Sequence, residues 1–377
     1  MKRNLFLFIC ATAVLAAGVL IWGVLRQQED TPELIFPMPE AESAESIVEP
    51  TENAVPTTEN TVAPEESFAS AGEITATIEE NSDTLYTSHD PLHYFRVTFD
   101  GNTITVDGVY DGDKVTKAEL DTLESVRPEQ NGEHITAQFV TDSTAGSSKL
   151  EIYFDSGWHI PVHIVYDENG LPQPLITTAL EHSARVLENP ITIPHDSVME
   201  YVAVSAAARS ATLEYIRDIS EQICKGLESD YDKARALAMW VSQNIYYDYV
   251  AYESEVTVET LSLTRTLELQ RSVCGGYANL YAALCQAQGI TCHVVKGTCI
   301  QGGGTFADGK HATPSHEWNV VILDGRHIWV DTLWNTDNAY DGEYYYGGQR
   351  YRYFDISDEC MAINHRAERV EIRKFYE

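Results

Sequence analysis

Positive charge is scarce in this chain. Its 377 residues carry 25 Lys and Arg against 58 Asp and Glu, a formal charge of −33. Nucleic acid or an anionic surface as the main partner requires a basic patch, and this balance argues against both. Cys-x-x-Cys pairs are absent, which removes the usual signature of a zinc site. The seven cysteines (Cys10, Cys224, Cys274, Cys285, Cys292, Cys299 and Cys360) do not have the spacing of a small stapled scaffold. Most of the six after Cys10 read as buried thiols. A phosphate loop is missing too, because Gly309-Lys310 leads into His311 where Ser or Thr is required. Long apolar runs are lacking beyond the first 25 residues.

The one such run, Leu5 to Leu25, follows Lys2 and Arg3. It is long enough to cross a bilayer as a helix, which takes about 20 apolar residues. Arg26-Gln27-Gln28-Glu29-Asp30 follows with no small-x-small cleavage site. Residues 1–26 therefore read as a signal anchor and transmembrane helix. The leading cations put the N-terminus inside and the bulk of the chain outside; cleavage would make the protein secreted. Residues 27–73 are acidic and rich in Pro and Thr, without Lys or Arg up to residue 73. They read as a disordered tether.

Residues 74–167 alternate with period two. Tyr94-Phe95-Arg96-Val97-Thr98-Phe99, His134-Ile135-Thr136-Ala137-Gln138-Phe139 and Leu150-Glu151-Ile152-Tyr153-Phe154 are examples, with Asp-Gly and Asn-Gly turns between such runs. The pattern predicts antiparallel strands in a small all-β, sandwich-like accessory domain. Its histidines show no ligand spacing. Residues 168–197, with Pro172, Pro174, Pro190 and Pro194, read as a connector.

Helical spacing opens the last region, 198–377. Leu213, Ile216, Ile219 and Ile223 form one stripe, which Gly226 closes. Ser229-Asp230-Tyr231-Asp232 has the form of a reciprocal helix cap. It predicts a second helix burying Ala234, Leu237, Ala238, Val241 and Ile245.

Chemistry concentrates around Ser272-Val273-Cys274-Gly275-Gly276-Tyr277. Cys274 reads as the first residue of a helix that Gly289 ends. Unsatisfied N–H groups there favour a thiolate and can hold an oxyanion. Two glycines beside the thiol predict a close approach to the backbone. Further on, His316-Glu317-Trp318-Asn319-Val320-Val321-Ile322-Leu323 leads through Asp324-Gly325 into Arg326-His327-Ile328-Trp329-Val330-Asp331. Asp-Gly between two such runs is a strong two-residue hairpin signal. With Leu323 paired to Arg326, His316 and Asp331 become diagonal neighbours on one face. That face is otherwise apolar and is expected to pack on the helix headed by Cys274. A thiol, an imidazole and an orienting carboxylate then form a nucleophile, its base and the group that fixes the base.

These residues resemble the transglutaminase-like superfamily of cysteine enzymes. The likeness lies in Val273-Cys274-Gly275-Gly276-Tyr277-Ala278, His316-Glu317-Trp318-Asn319 and Trp329-Val330-Asp331-Thr332. Ala238-Met239-Trp240-Val241 through Tyr247-Asp248, and Tyr353-Phe354-Asp355-Ile356-Ser357-Asp358, are similar to bacterial members. The resemblance spans roughly residues 210–366. It implies an α+β, papain-like core with the cysteine on a helix and the other two residues on an antiparallel sheet. It also implies Cys274 as nucleophile, His316 as general base and acid, and Asp331 as orienter.

The expected activity is thioester-forming acyl transfer on protein or peptide amides at the cell surface. It ends in hydrolysis, as in a peptidase or deamidase, or in transglutaminase cross-linking. The alternative is an inactive surface scaffold or adhesion module that keeps the fold. No cofactor is expected. Nor is a metal, since Asp308, His311 and His316 match no standard ligand spacing. Gln270 and Tyr247 are the candidate side-chain oxyanion donors, and Tyr344, Tyr345, Tyr346, Tyr351 and Tyr353 form a tyrosine cluster for binding or packing.

Overall fold

Period-two alternation governs the first part of the fold in the computed structural model. The structure describes residues 84–86, 88–90, 93–110, 114–121, 124–141, 146–155, 159–174, 178–202, 205–254, 256–300, 315–348 and 352–376. The expected membrane anchor and tether lie outside the described residues, as do Asp308, His311, Tyr351 and the Gly302-Gly303-Gly304 run. Among the described residues no helix is long and apolar enough to cross a membrane.

Ten strands come first: β1 (Thr84–Tyr86), β2 (His93–Asp100), β3 (Thr103–Tyr110), β4 (Val115–Leu120), β5 (Glu124–Val126), β6 (Glu129–Asn131), β7 (His134–Val140), β8 (Ser147–Phe154), β9 (His159–Tyr166) and β10 (Pro172–Pro174). They form two antiparallel five-stranded sheets, ordered β1-β2-β3-β7-β6 and β10-β9-β8-β4-β5. Gly101 and Gly132 open the two-residue turns at Asp100↔Thr103 and Asn131↔His134 with φ of +56° and +65°, values that glycine adopts without strain. Every second residue points inward, so Val97, Ile104, Ile135 and Phe139 of one sheet share a core with Leu150, Ile152, Val162 and Ile164 of the other.

The stretch read as a connector carries regular structure. After edge strand β10 come α1 (Thr178–Leu187) and β11 (Ile191–Ile193), then α2 (His195–Val202). Its prolines sit where no N–H is needed: at the ends of an edge strand, and just before β11 and α2.

The two amphipathic stripes form α3 (Ala206–Ile223) and α4 (Asp230–Asn244). Ser229 caps α4 as its spacing predicts, its Oγ accepting from the Asp232 N–H at 3.0 Å. Ala234, Leu237, Ala238, Val241 and Ile245 are all buried. Then follow β12 (Tyr246–Asp248), α5 (Tyr249–Glu253), α6 (Leu263–Leu269), β13 (Arg271–Ser272), α7 (Cys274–Ala287), β14 (Thr291–Cys299), β15 (His316–Leu323), β16 (Arg326–Val330), β17 (Ala339–Tyr340), β18 (Tyr345–Tyr346), β19 (Phe354–Ile356), α8 (Asp358–Asn364) and β20 (His365–Arg373). A six-stranded sheet runs β11-β20-β14-β15-β16-β19, and a small one runs β13-β12-β17-β18.

Helix α7 is the centre of this half. Residues Gly275 to Cys285 are all buried, between α3 and α4 on one side and the six-stranded sheet on the other. The described strands of the first part belong to the same compact unit as this half. Asp90 pairs with Arg235 Nε at 2.8 Å, and the Ser88 hydroxyl donates to the Phe354 carbonyl at 2.9 Å.

Candidate active site

Asp324 and Gly325, with φ of +53° and +76°, make the two-residue turn between β15 and β16. The register is the one the turn dictates, with Leu323 opposite Arg326 and Asn319 opposite Val330. It brings His316 Nε2 to 2.6 Å from Asp331 Oδ2. Both side chains are buried.

The covered face differs from the expected one. Helix α7 packs on the odd-numbered face of β15: Asn319 donates to the Ala278 carbonyl at 3.0 Å, and Val321 joins the α7 core. His316, Trp318 and Val320 face the other way; Trp318 and Val320 share a core with Leu187 of α1 and Met361 of α8. Strand β15 is buried on both faces, so apolar content alone does not choose between them. The thiol reaches His316 because His316 is the first residue of its strand and Cys274 the first residue of its helix. The two side chains come close enough for the thiol to bear on the charge of the imidazole. Cys274 is partly exposed, whereas the five other described cysteines are buried.

The start of α7 is held from several directions. Val273 caps it with no side-chain hydrogen bond. The close approach predicted by Gly275-Gly276 comes from the protein's own side chains. A Cβ on Gly276 would stand 1.9 Å from Ser272 Oγ, and one on Gly275 2.9 Å from Leu261 Cδ2. On the odd face of β15, Glu317 accepts from Arg373 Nη2 at 3.2 Å and pairs with Lys296 Nζ at 3.0 Å. Arg373 in turn donates to Asn279 Oδ1 at 2.5 Å, tying α7 to the sheet.

A second imidazole, which the sequence reading did not single out, shares the carboxylate. His365 Nε2 lies 3.1 Å from Asp331 Oδ2, and the Trp334 backbone N–H donates to Oδ1 at 2.9 Å. Burial alone would lower the His316 pKa, but the Asp331 charge and hydrogen bond and the contact with Cys274 carry it well above 6.5. Burial would likewise raise that of Asp331, and the two histidines outweigh it, holding the carboxyl below its usual range. For His365 desolvation wins, and its pKa falls to about 4. One carboxylate thus holds one charged and one neutral imidazole at neutral pH.

A neutral His365 donates from Nε2 and accepts at Nδ1. Asn364 Oδ1 stands 2.7 Å from Nδ1 and its NH2 donates to the Tyr353 hydroxyl at 3.0 Å; the neutral ring requires this amide turned over, with its NH2 on Nδ1 and its oxygen accepting from the hydroxyl. Aromatic rings enclose both imidazoles: Trp318 stacks on His316 with centroids 5.7 Å apart, and Trp334 meets His365 edge-on at 4.4 Å. Ligand atoms of His316, Asp331 and His365 lie within 4.8 Å of one another, close enough to hold a metal ion. In this arrangement both Nε2 atoms are engaged by the carboxylate.

Of the two candidate donors, Tyr247 pairs in register with Ser272 and packs against Val273, the residue before Cys274. Burial first, and then the Cys274 charge, raise its pKa. Gln270 is exposed and left-handed at the end of α6, at φ +51°. The tyrosine cluster divides: Tyr353 is buried against His365, while Tyr344, Tyr345 and Tyr346 are exposed.

The family model of the transglutaminase-like superfamily matches residues 217–332, a span that includes Cys274, His316 and Asp331. The chain carries a transglutaminase-like domain. Human kyphoscoliosis peptidase is similar to it, 30% identical over 142 residues, which cover 37% of this chain and 20% of that protein. The Caenorhabditis elegans Lim and transglutaminase domain protein ltd-1 is 27% identical over 174 residues, covering 44% of this chain and 23% of that one. The chain thus spans only about a fifth of the length of these relatives. The crystal structure of a TGase aligns with 60% of this chain and 44% of its own at 15% identity, with a TM-score of 0.26, too slight a likeness to argue from. In the transglutaminase-like domain the mixed α/β core is built on α7 and the six-stranded sheet.

Proposed function

We propose that the transglutaminase-like domain is a cysteine acyl-transfer enzyme acting on protein or peptide amides. The observation that carries the reading is a partly exposed thiol at the start of a helix, close to an imidazole that is hydrogen-bonded to a buried carboxylate. An idle scaffold has no need of an accessible sulfur on a charged imidazole.

In this reading His316 holds the proton and Cys274 attacks as a thiolate. The sulfur bonds to the amide carbon, and the oxyanion draws on the Cys274 and Gly275 N–H groups at the start of α7, where no side chain caps them. The C–N bond breaks as the His316 proton passes to the leaving amine, giving a thioester and a neutral imidazole. Water or a primary amine then attacks the thioester while His316 takes its proton. The sulfur leaves as a thiolate, and the thiolate–imidazolium pair is restored. Asp331 keeps the ring aligned and stabilises its charge throughout. The word peptidase in the name of the human relative favours the hydrolytic outcome.

Incubating the full chain with glutamine-containing peptides, with and without a primary amine, tests the reading. Thiol-dependent hydrolysis or ammonia release that disappears in Cys274→Ala is expected. Equal turnover in that variant would sink the proposal, and amine incorporation would select transfer over hydrolysis. The run Leu5 to Leu25 after Lys2 and Arg3 extends the proposal to the outer face of a membrane. Loss of the protein from the membrane fraction on alkaline washing would refute that extension.

A further inference from the structure

The small sheet β13-β12-β17-β18 forms a shelf that begins two residues before Cys274 and ends at Tyr346. Its rings fall into two neighbouring groups. Tyr247, paired in register with Ser272, lies 4.9 Å from Tyr249 and 5.8 Å from Tyr252 between centroids. Tyr345 lies 5.0 Å from Tyr246 and 4.6 Å from Tyr340, and α5 lies against the turn between β17 and β18, where a Cβ on Gly342 would stand 3.1 Å from Val250. Tyr249, Tyr252 and Tyr344 to Tyr346 stand 42–62% exposed. Single exposed apolar residues are ordinary; five exposed tyrosines grouped on and beside one small sheet are not.

Apart from Arg271 and Arg265, which pair with Asp248, the charge next to these rings in the sequence is negative. Glu253, Asp341 and Glu343 are exposed beside them, and residues 236–264 and 327–348, which supply β12, α5, β17 and β18, contain no Lys or Arg. The chain itself shows what such a surface accepts. The Arg271 guanidinium of β13 lies over the Tyr340 ring at 4.0 Å and donates to the Tyr345 hydroxyl at 2.8 Å. Asp248 pairs with it at 3.2 Å. That combination of ring face, phenol oxygen and carboxylate is satisfied by a cation.

We propose that the tyrosine shelf binds a basic peptide segment, its Lys or Arg side chains lying over exposed rings and between the flanking carboxylates, and so delivers an adjoining amide to Cys274. The proposal rests on the acyl-transfer reading for the meaning of that delivery, while the binding itself is measured apart from catalysis.

The probe is a short fluorescein-labelled peptide of Lys, Ser and Gly, compared with its counterpart bearing Glu for Lys. Anisotropy is read on the full chain carrying Cys274→Ala. The Lys peptide is expected to bind and the Glu peptide not to. Adding Tyr249→Ser with Tyr346→Ser leaves the net charge unchanged and is expected to weaken binding roughly five- to thirtyfold, two ring contacts' worth. The Phe pair at the same positions restores most of the affinity and keeps the packing of these half-exposed rings, so a folding defect in the Ser pair would show as a lower melting temperature there. Undiminished binding to the Ser pair would show that only the general pull of a −33 chain is at work, and would overturn the proposal. So would failure of the Lys peptide to bind, or equal binding of the Glu peptide. Failure of the acyl-transfer reading shows separately, as an unreactive Cys274 in the wild type.

Discussion

Replacing His365 with Gln isolates the second imidazole on Asp331. A Gln amide nitrogen takes the position of Nε2, so a donor to Asp331 Oδ2 is kept while the titrating group is lost. In the folded protein burial depresses the His365 pKa from 6.5 to about 4. The unfolded chain therefore binds a proton between those values that the folded chain refuses. Stability falls as pH drops from 6.5, and the loss is complete below about 4. At about 1.4 kcal/mol per pH unit the depression corresponds to about 3 kcal/mol. His316 has the opposite sign: its raised pKa gives stability that is fully present below 6.5 and lost only as pH rises through the folded value. It adds no slope in the acid window.

Urea unfolding of wild type and His365→Gln at several pH values from 7 to 4 measures the difference. The variant carries a constant penalty for the lost ring packing against Trp334 and Tyr353. Its curve should nevertheless be flatter than that of the wild type by about 3 kcal/mol over the window. Parallel curves would refute a buried neutral imidazole at this position.

Asp331→Asn removes the charge that holds His316 protonated. A hydrogen bond to a charged group contributes about 1.5–3 kcal/mol, so alkylation of Cys274 at pH 7 should slow roughly tenfold to a hundredfold; an unchanged rate contradicts the coupling. Gly276→Ala would ordinarily favour a helix by about 1 kcal/mol. Here the new Cβ would stand 1.9 Å from Ser272 Oγ and 2.9 Å from Thr266 Oγ1, so a net loss of about 1–3 kcal/mol is expected in thermal or urea unfolding. A rise in stability would contradict the packing described for the start of α7.

The geometry of His316 and Asp331 was readable from two residues. Asp324-Gly325 sets a two-residue turn, and that turn counts the pairing back to both side chains. The two helix stripes and the Ser229 cap were readable for the same reason, since each is a local pattern with a local cause. What escaped depends on distant contacts. The side of the sheet that meets α7 was not legible because β15 is buried on both faces, and the pattern in one strand does not say which layer covers which. His365 follows Asp331 by 34 residues and arrives through α8, with no spacing to mark it. The glycines beside Cys274 marked close packing correctly, but the crowding atoms belong to Ser272, Thr266 and Leu261. The prolines of residues 168–197 suggested a connector, whereas they occupy edges and starts of elements that complete the sheets.

Site-resolved alkylation by iodoacetamide, followed by mass spectrometry across pH 5–9 on wild type and His316→Ala, tests the central claim most directly. The partly exposed Cys274, close to a charged His316, should react far faster than the buried cysteines at pH 6–7. In His316→Ala that neutral-pH reactivity should vanish, returning only as the pH rises towards the range of an ordinary thiol. A wild-type Cys274 no more reactive than Cys285 or Cys292, or a rate indifferent to the loss of His316, would contradict the account.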